Sequence, residues 1–179
     1  MTEEGAKRID DLKADYAIMN FALKYVNIPG IDDKQKIIEA REELSARDGR
    51  RWDTRETIWH LCNKYLEENE GKDPQADKML YFGMANWVSA RENPNPYLEK
   101  VARIDLEQMG PYVKKVKVCC AGGCEGCKDM VGRVFTVEEA LRTMPLPNKN
   151  CTHRMDKEGF PFCRCCWVAV PDYGESEGV

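Results

Sequence analysis

Along the first 110 residues the apolar positions recur at alternating steps of three and four. In "RIDDLKADYAIMNFALKYV", Ile9, Leu12, Tyr16, Met19, Leu23 and Val26 form one stripe, which ends at Pro29-Gly30. That spacing is the helical period, and a Pro-Gly pair stops a helix. Asp32 or Asp33 is placed to cap a second helix that carries Ile37, Ile38 and Leu44 and ends near Gly49. "DTRE", Asp53 to Glu56, has the form of a capping box with an acidic cap. Behind it Ile58, Leu61, Cys62, Tyr65 and Leu66 make a third stripe, followed by Gly71. Asp73-Pro74 and Asn95-Pro96 each set a cap residue before a proline, the arrangement that opens a helix. They predict a fourth helix to about Arg91 and a fifth to about Met109, closed by Gly110-Pro111. Five helices with short connections predict an antiparallel bundle or a set of helical hairpins. No segment recurs at a fixed period, and Gly83, between Leu80 and Trp87, points to close helix packing.

The pattern changes after Pro111. "YVKKVKV" alternates apolar and charged residues, the mark of a half-buried strand. "VGRVF" reads as a returning strand, and "TVEEALRTM" as a short helix with a Thr136/Glu139 capping box, stopped by Pro145. "PLPNKN" is a loop. "GFPFCRCCWVAV" reads as a strand entered from a turn at Glu158-Gly159, with Cys163 and Cys165 on one face and Cys166 on the other.

The chain of 179 residues is 42% hydrophobic and 32% charged, an ordinary globular balance. It has no apolar run of about 18 residues that would span a membrane. The charged start "MTEEGAKRIDDLK" lacks the apolar block of a secretory signal, which places the chain in a reducing cytoplasm. The net charge of −4 is unevenly spread: residues 1–110 carry 17 Lys/Arg against 22 Asp/Glu, whereas residues 111–170 carry 10 against 6. Residues 171–179 hold three acids and no base, an acidic, unstructured tail. Three segments result: a helical domain over 1–110, a cysteine-rich module over 111–170 and the tail.

Eight of the nine cysteines fall between Cys119 and Cys166. In a reducing compartment clustered thiols serve as metal ligands more often than as disulfides. Structural zinc takes four soft ligands in a tetrahedron, commonly two close pairs far apart in sequence. Cys124-x2-Cys127 is the first pair, with Gly126 free to take a positive φ so that both sulfurs converge. The partners come from Cys151, His153, Cys163, Cys165 and Cys166. The leading set is Cys124, Cys127, Cys151 and Cys163, with Cys165 and then His153 as substitutes, and Zn²⁺ ahead of an iron–sulfur cluster. Cys119, Cys120 and Cys166 are left over for a second metal site. A redox Cys-x-x-Cys fits less well, since that motif normally opens a helix in a βαβ unit. The fold class is therefore α+β: an antiparallel helical bundle or helical hairpins, then a small zinc-stabilised β-rich module.

The cysteine segment, "CEGCKDMVGRVF" followed by "PLPNKNC", resembles that of phage head-morphogenesis proteins of the Mu F type. Their pattern runs C-x2-C-x4-G-K-x-F, a Pro-rich loop, then H-x2-C-R-C. Cys124, Cys127, Gly132, Arg133, Phe135, Pro145, Pro147 and Cys151 carry the match over about forty residues. Asn148 stands at the family's histidine position and His153 at its final cysteine position. A separate Cys163-Arg-Cys165 follows later. The resemblance implies a metal-stabilised knuckle and a link to phage or mobile elements.

Nothing in the helical region has catalytic form. His60 and Cys62 are two apart on one helix and face different ways, and Cys62, Trp52, Trp59, Trp87 and Tyr81 read as core residues. The functional expectation is a non-enzymatic zinc protein, the zinc structural, acting as an adaptor or binding module for a protein partner. A nucleic-acid-binding zinc protein and a metal-dependent nuclease or hydrolase are the alternatives. With His60 and His153 the only histidines, HNH-type machinery is thin, and the H-x-E…P-C-x-x-C deaminase signature is missing. Lys114, Lys115, Lys117, Lys128, Arg133, Arg154 and Arg164, with Phe160, Phe162 and Trp167, would form the nucleic-acid face. The plainer reading packs those aromatics inside the module and leaves the lysines to keep a strand edge soluble.

Overall fold

The computed structural model describes residues 3–89, 91–120, 124–152 and 162–171. The chain is α+β. Five helices come first: α1 (Glu3–Phe21), α2 (Lys34–Asp48), α3 (Thr54–Asn69), α4 (Pro74–Val88) and α5 (Asn95–Met109). A strand β1 (Lys115–Cys120), a strand β2 (Val134–Thr136), a helix α6 (Val137–Thr143) and a strand β3 (Cys165–Val170) follow. No described helix is long and apolar enough to cross a membrane.

The cap residues act as their chemistry predicts. Asp33 accepts from the Lys36 N–H at 2.9 Å, and Asp53 and Glu56 form a reciprocal capping box that opens α3. Gly49 ends α2 in the left-handed conformation that glycine takes without strain. At α5 the expectation shifts slightly: Asn95 is the first helical residue, and the Asn93 side chain accepts its N–H at 3.0 Å.

The folded chain divides into two compact units, Met1–Trp87 and Val88–Val179. The change of pattern after Pro111 marks a different place, because it follows secondary structure, whereas the division follows burial. The apolar face of α5 supplies Ala102 and Leu106 to the core beneath the sheet, so this helix belongs with the cysteines.

In the first unit the described part of the α1 stripe, from Leu12 onward, is buried toward its C-terminal end. Met19, Ala22 and Val26 are buried, while Leu12 and Tyr16 are exposed. After Phe21 the helix widens into a π-helical turn, Ala22–Val26, closed by left-handed Asn27. Gly83 of α4 lies directly on the backbone of Val26, where any Cβ would overlap the Val26 carbonyl. The close packing expected at this glycine is present. A half-buried polar link joins three helices: Arg41 Nη1 reaches Asp15 Oδ2 at 3.1 Å and Thr54 Oγ1 at 3.0 Å, and the Thr54 hydroxyl donates to Asp15 Oδ1. Cys62 is buried, and burial pushes its thiol up to about 12. That suits a packing residue. Tyr81 is buried, and Trp52, Trp59 and Trp87 are half-buried.

In the second unit the sheet runs β2-β1-β3, antiparallel throughout. Lys115, Val116 and Lys117 pair with Thr136, Phe135 and Val134 on one side, and with Val170, Ala169 and Val168 on the other. Alternation then sorts the side chains. Val116, Val118, Phe135 and Trp167 turn toward α5 and α6, whereas Lys115, Lys117, Val134 and Val168 face outward. The core comprises Ala102, Leu106, Val116, Val118, Val137, Ala140, Met144, Leu146 and Trp167. Each large apolar side chain buried there contributes roughly 1.5–3 kcal/mol. Phe135 meets Trp167 edge to face at 5.8 Å, a favoured aromatic geometry. Gly132, at φ +84, makes the turn into β2, a conformation that strains most other residues.

Candidate metal centre

β1 runs on to Cys120, so its last two residues are cysteines paired with the first two of β3: Cys119 with Cys166, and Cys120 with Cys165. The pleat sends Cys120 and Cys165 inward and leaves Cys119 and Cys166 exposed. Cys163 precedes the strand rather than lying in it, which corrects the longer strand expected there. Cys163 is buried, beside the equally buried Cys127.

Cys124 and Cys127 sit at the two ends of a single 3-10 turn whose helical residues are Glu125–Cys127. The Cys127 N–H bonds back to the Cys124 carbonyl at 2.9 Å, and the Met130 N–H bonds to the Cys127 carbonyl at 3.0 Å. The turn is tight because Gly126 lets another strand of backbone pass. A Cβ at Gly126 would occupy the position of the Asn150 carbonyl. The residue is therefore glycine for want of space, not for the positive φ expected from sequence.

Four of the sulfurs form two close pairs, and of the four Cys163 alone lies outside the groups of three that could hold a metal ion. Cys124 Sγ lies 3.7 Å from Cys151 Sγ, and Cys127 Sγ lies 4.0 Å from Cys163 Sγ. Sulfurs bonded to one tetrahedral zinc at about 2.3 Å are about 3.8 Å apart, so both pairs have coordination spacing. The ligand atoms of Cys124, Cys127 and Cys151 lie within 4.8 Å of one another and could hold a metal ion. Those of Cys120, Cys127 and Cys165 do likewise, and the two groups share Cys127. His153 lies outside the described residues, as do Phe160, the turn expected at Glu158-Gly159 and residues 172–179 of the acidic tail.

Backbone donors point at the sulfurs. The Thr152 N–H donates to Cys124 Sγ at 3.3 Å, and the Asn148 N–H donates to Cys163 Sγ at 3.3 Å. Asn148 does more than its sequence position suggested. Its buried side-chain amide donates to the Gly126 carbonyl at 2.6 Å and toward Cys127 Sγ at 3.7 Å, while its Oδ1 accepts the Asn150 N–H at 3.0 Å. One side chain therefore ties the turn to the loop that carries Cys151. Asn148 thereby positions the cysteine sulfurs without adding a sulfur or imidazole of its own.

Burial pushes the Cys127 thiol up to about 11, reinforced by the neighbouring Cys124 sulfur and opposed by Cys165 and Cys151. Burial raises Cys165 further, with Cys120, Cys163 and Cys127 adding to it. Packed thiols of this kind resist ionisation unless a cation replaces their protons. Partial desolvation by its neighbours, and then the charge of Cys119 on the paired strand, raise the exposed Cys166. Glu125, the acid nearest in sequence, is exposed and pairs with Lys128 Nζ at 2.5 Å.

Trp167 is 4% exposed and Phe162 is also buried, so neither can serve as a stacking platform on the surface. Lys114, Lys115, Lys117, Lys128 and Arg133 are exposed, and Arg164 is half-buried.

No family model, curated protein or solved structure matches this chain.

Proposed function

We propose that this chain is a non-enzymatic zinc protein whose metal is structural, and that its cysteine unit is a binding module for a protein partner. The observation that carries this reading is the convergence of Cys124, Cys127 and Cys151 within 4.8 Å of one another, with Cys163 4.0 Å from Cys127. Four thiolates from the protein would leave no position open on the ion, and a closed site of this kind stabilises a fold. Among the described residues both candidate ligand groups consist of cysteine alone, and Glu125 is engaged by Lys128 at the surface. Soft ligands in a tetrahedron favour zinc. The likeness of the cysteine pattern to a Mu F-type knuckle adds to this reading an origin in phage or mobile elements.

The outer face of the sheet is the surface this reading assigns to the partner. Val134 and Val168 are 51% and 40% exposed there, flanked by Lys115 and Lys117. Phe162 and Trp167 are buried and Phe135 packs against the core, while Tyr112, before β1, is exposed. The stacking platforms expected at Phe162 and Trp167 are therefore not at the surface, which favours a protein partner over single-stranded nucleic acid.

Elemental analysis of protein purified without added metal tests the first half. Stoichiometric zinc, with a C-terminal unit that becomes protease-sensitive on chelation, is expected. A metal-free preparation with that unit intact would overturn the reading. Filter binding to random DNA and RNA tests the second half, and strong, salt-sensitive retention at physiological ionic strength would reverse the choice of partner.

A further inference from the structure

We propose that Cys120, Cys124, Cys127, Cys151, Cys163 and Cys165 form one binuclear metal–thiolate centre in which Cys127 and Cys163 are shared by two ions. This rests on the reading that the cysteines hold metal, and it goes beyond a four-thiolate site. The two candidate ligand groups are not separate, since Cys127 belongs to both. Cys163, whose sulfur lies 4.0 Å from Cys127 and outside both groups, is assigned as the second link by the count of donors. Around this central pair the other four fall into two terminal pairs. Cys124 and Cys151 stand together at 3.7 Å. Cys120 and Cys165 are held opposite each other by the β1–β3 register, each within 4.8 Å of Cys127.

Counting donors explains why six is the relevant number. One tetrahedral ion uses four sulfurs and leaves two inward-facing thiols beside it. Two independent tetrahedra need eight donors. Two tetrahedra that share an edge need six, with two of them bridging. Burial follows the same division: the proposed bridging residues, Cys127 and Cys163, are the buried ones, and the four terminal residues are half-buried. A thiolate bonded to two ions keeps one lone pair, and Asn148 directs one N–H at each of these sulfurs. Charge agrees as well. Six thiolates with two divalent ions leave −2, the same as four thiolates with one, in a segment rich in Lys and Arg.

The test uses the full chain loaded with zinc, and separately with cobalt(II), both with metal analysis and X-ray absorption. Two ions per chain and a short metal–metal scattering path are expected. The double variant Cys120→Ser/Cys165→Ser should fall to one ion, whereas Cys119→Ser/Cys166→Ser, altered only at exposed thiols, should keep two. One ion in the wild type would overturn the binuclear centre and leave the proposed function standing. Two ions without a metal–metal path would overturn the sharing of sulfurs. No bound ion at all would overturn both readings. If the Cys120/Cys165 variant fails to fold, the wild-type stoichiometry and scattering path decide alone.

Discussion

The two units are held by different means. The helical unit distributes its stability over capped helices, the Asp15–Arg41–Thr54 link and the contact of Gly83 with Val26. The cysteine unit has one modest apolar core on one side of a three-stranded sheet, and its 124–163 region carries thiols where apolar side chains would otherwise stand. A segment that lacks enough apolar surface needs a cross-link. The difference teaches that burial can be spread along a helix period, residue by residue, while a thiol cluster concentrates the same task in a few atoms.

Metal removal separates the units most sharply. Structural zinc sites in small domains contribute about 10–16 kcal/mol of apparent binding free energy at neutral pH. Chelation should therefore unfold the cysteine unit, seen as red-shifted tryptophan emission and proteolysis after residue 88, while most helical circular dichroism persists. Loss of the helical signal in step with the metal would show that the two units share one stability. A fragment of residues 1–87 should keep its helicity, and extension to residue 110 should add little ordered helix, because Ala102 and Leu106 find their core under the sheet.

Trp167→Ala should cost the cysteine unit about 3–5 kcal/mol by emptying the centre of its core. Denaturant titration of the metal-loaded protein measures it. A change below 1 kcal/mol would mean that the thiol cluster alone holds the sheet.

The two tightly packed glycines offer a matched pair. Gly126→Ala and Gly83→Ala each force a methyl group into backbone, at about 1–3 kcal/mol or more. The first should weaken zinc retention against a chromogenic chelator at least tenfold, while the second should lower the melting temperature of the helical unit and leave zinc in place. Zinc loss from Gly83→Ala would contradict the independence of the units. The smallest effect expected is that of Asp53→Ala, which removes one capping box for about 1 kcal/mol, readable in the helical transition alone.

What the sequence by itself determined is local. The helix period, the caps at Asp33, Asp53 and Thr136, the stop at Gly49 and the alternation of "KVKV" each depend on residues within a few positions of one another. The Cys124-x2-Cys127 turn was legible for the same reason, and so was the α+β class. Tertiary structure decided the rest, because it concerns which distant residues share a volume. Register alone turned Cys120 and Cys165 inward and Cys119 and Cys166 outward, since a shift of one residue exchanges the faces. The same long-range packing assigned α5 to the sheet, buried Trp167 and gave Asn148 its contacts with two sulfurs. Gly126 shows the division within one residue: its lack of a side chain is written in the chain, but the Asn150 carbonyl that requires it arrives from 24 positions away.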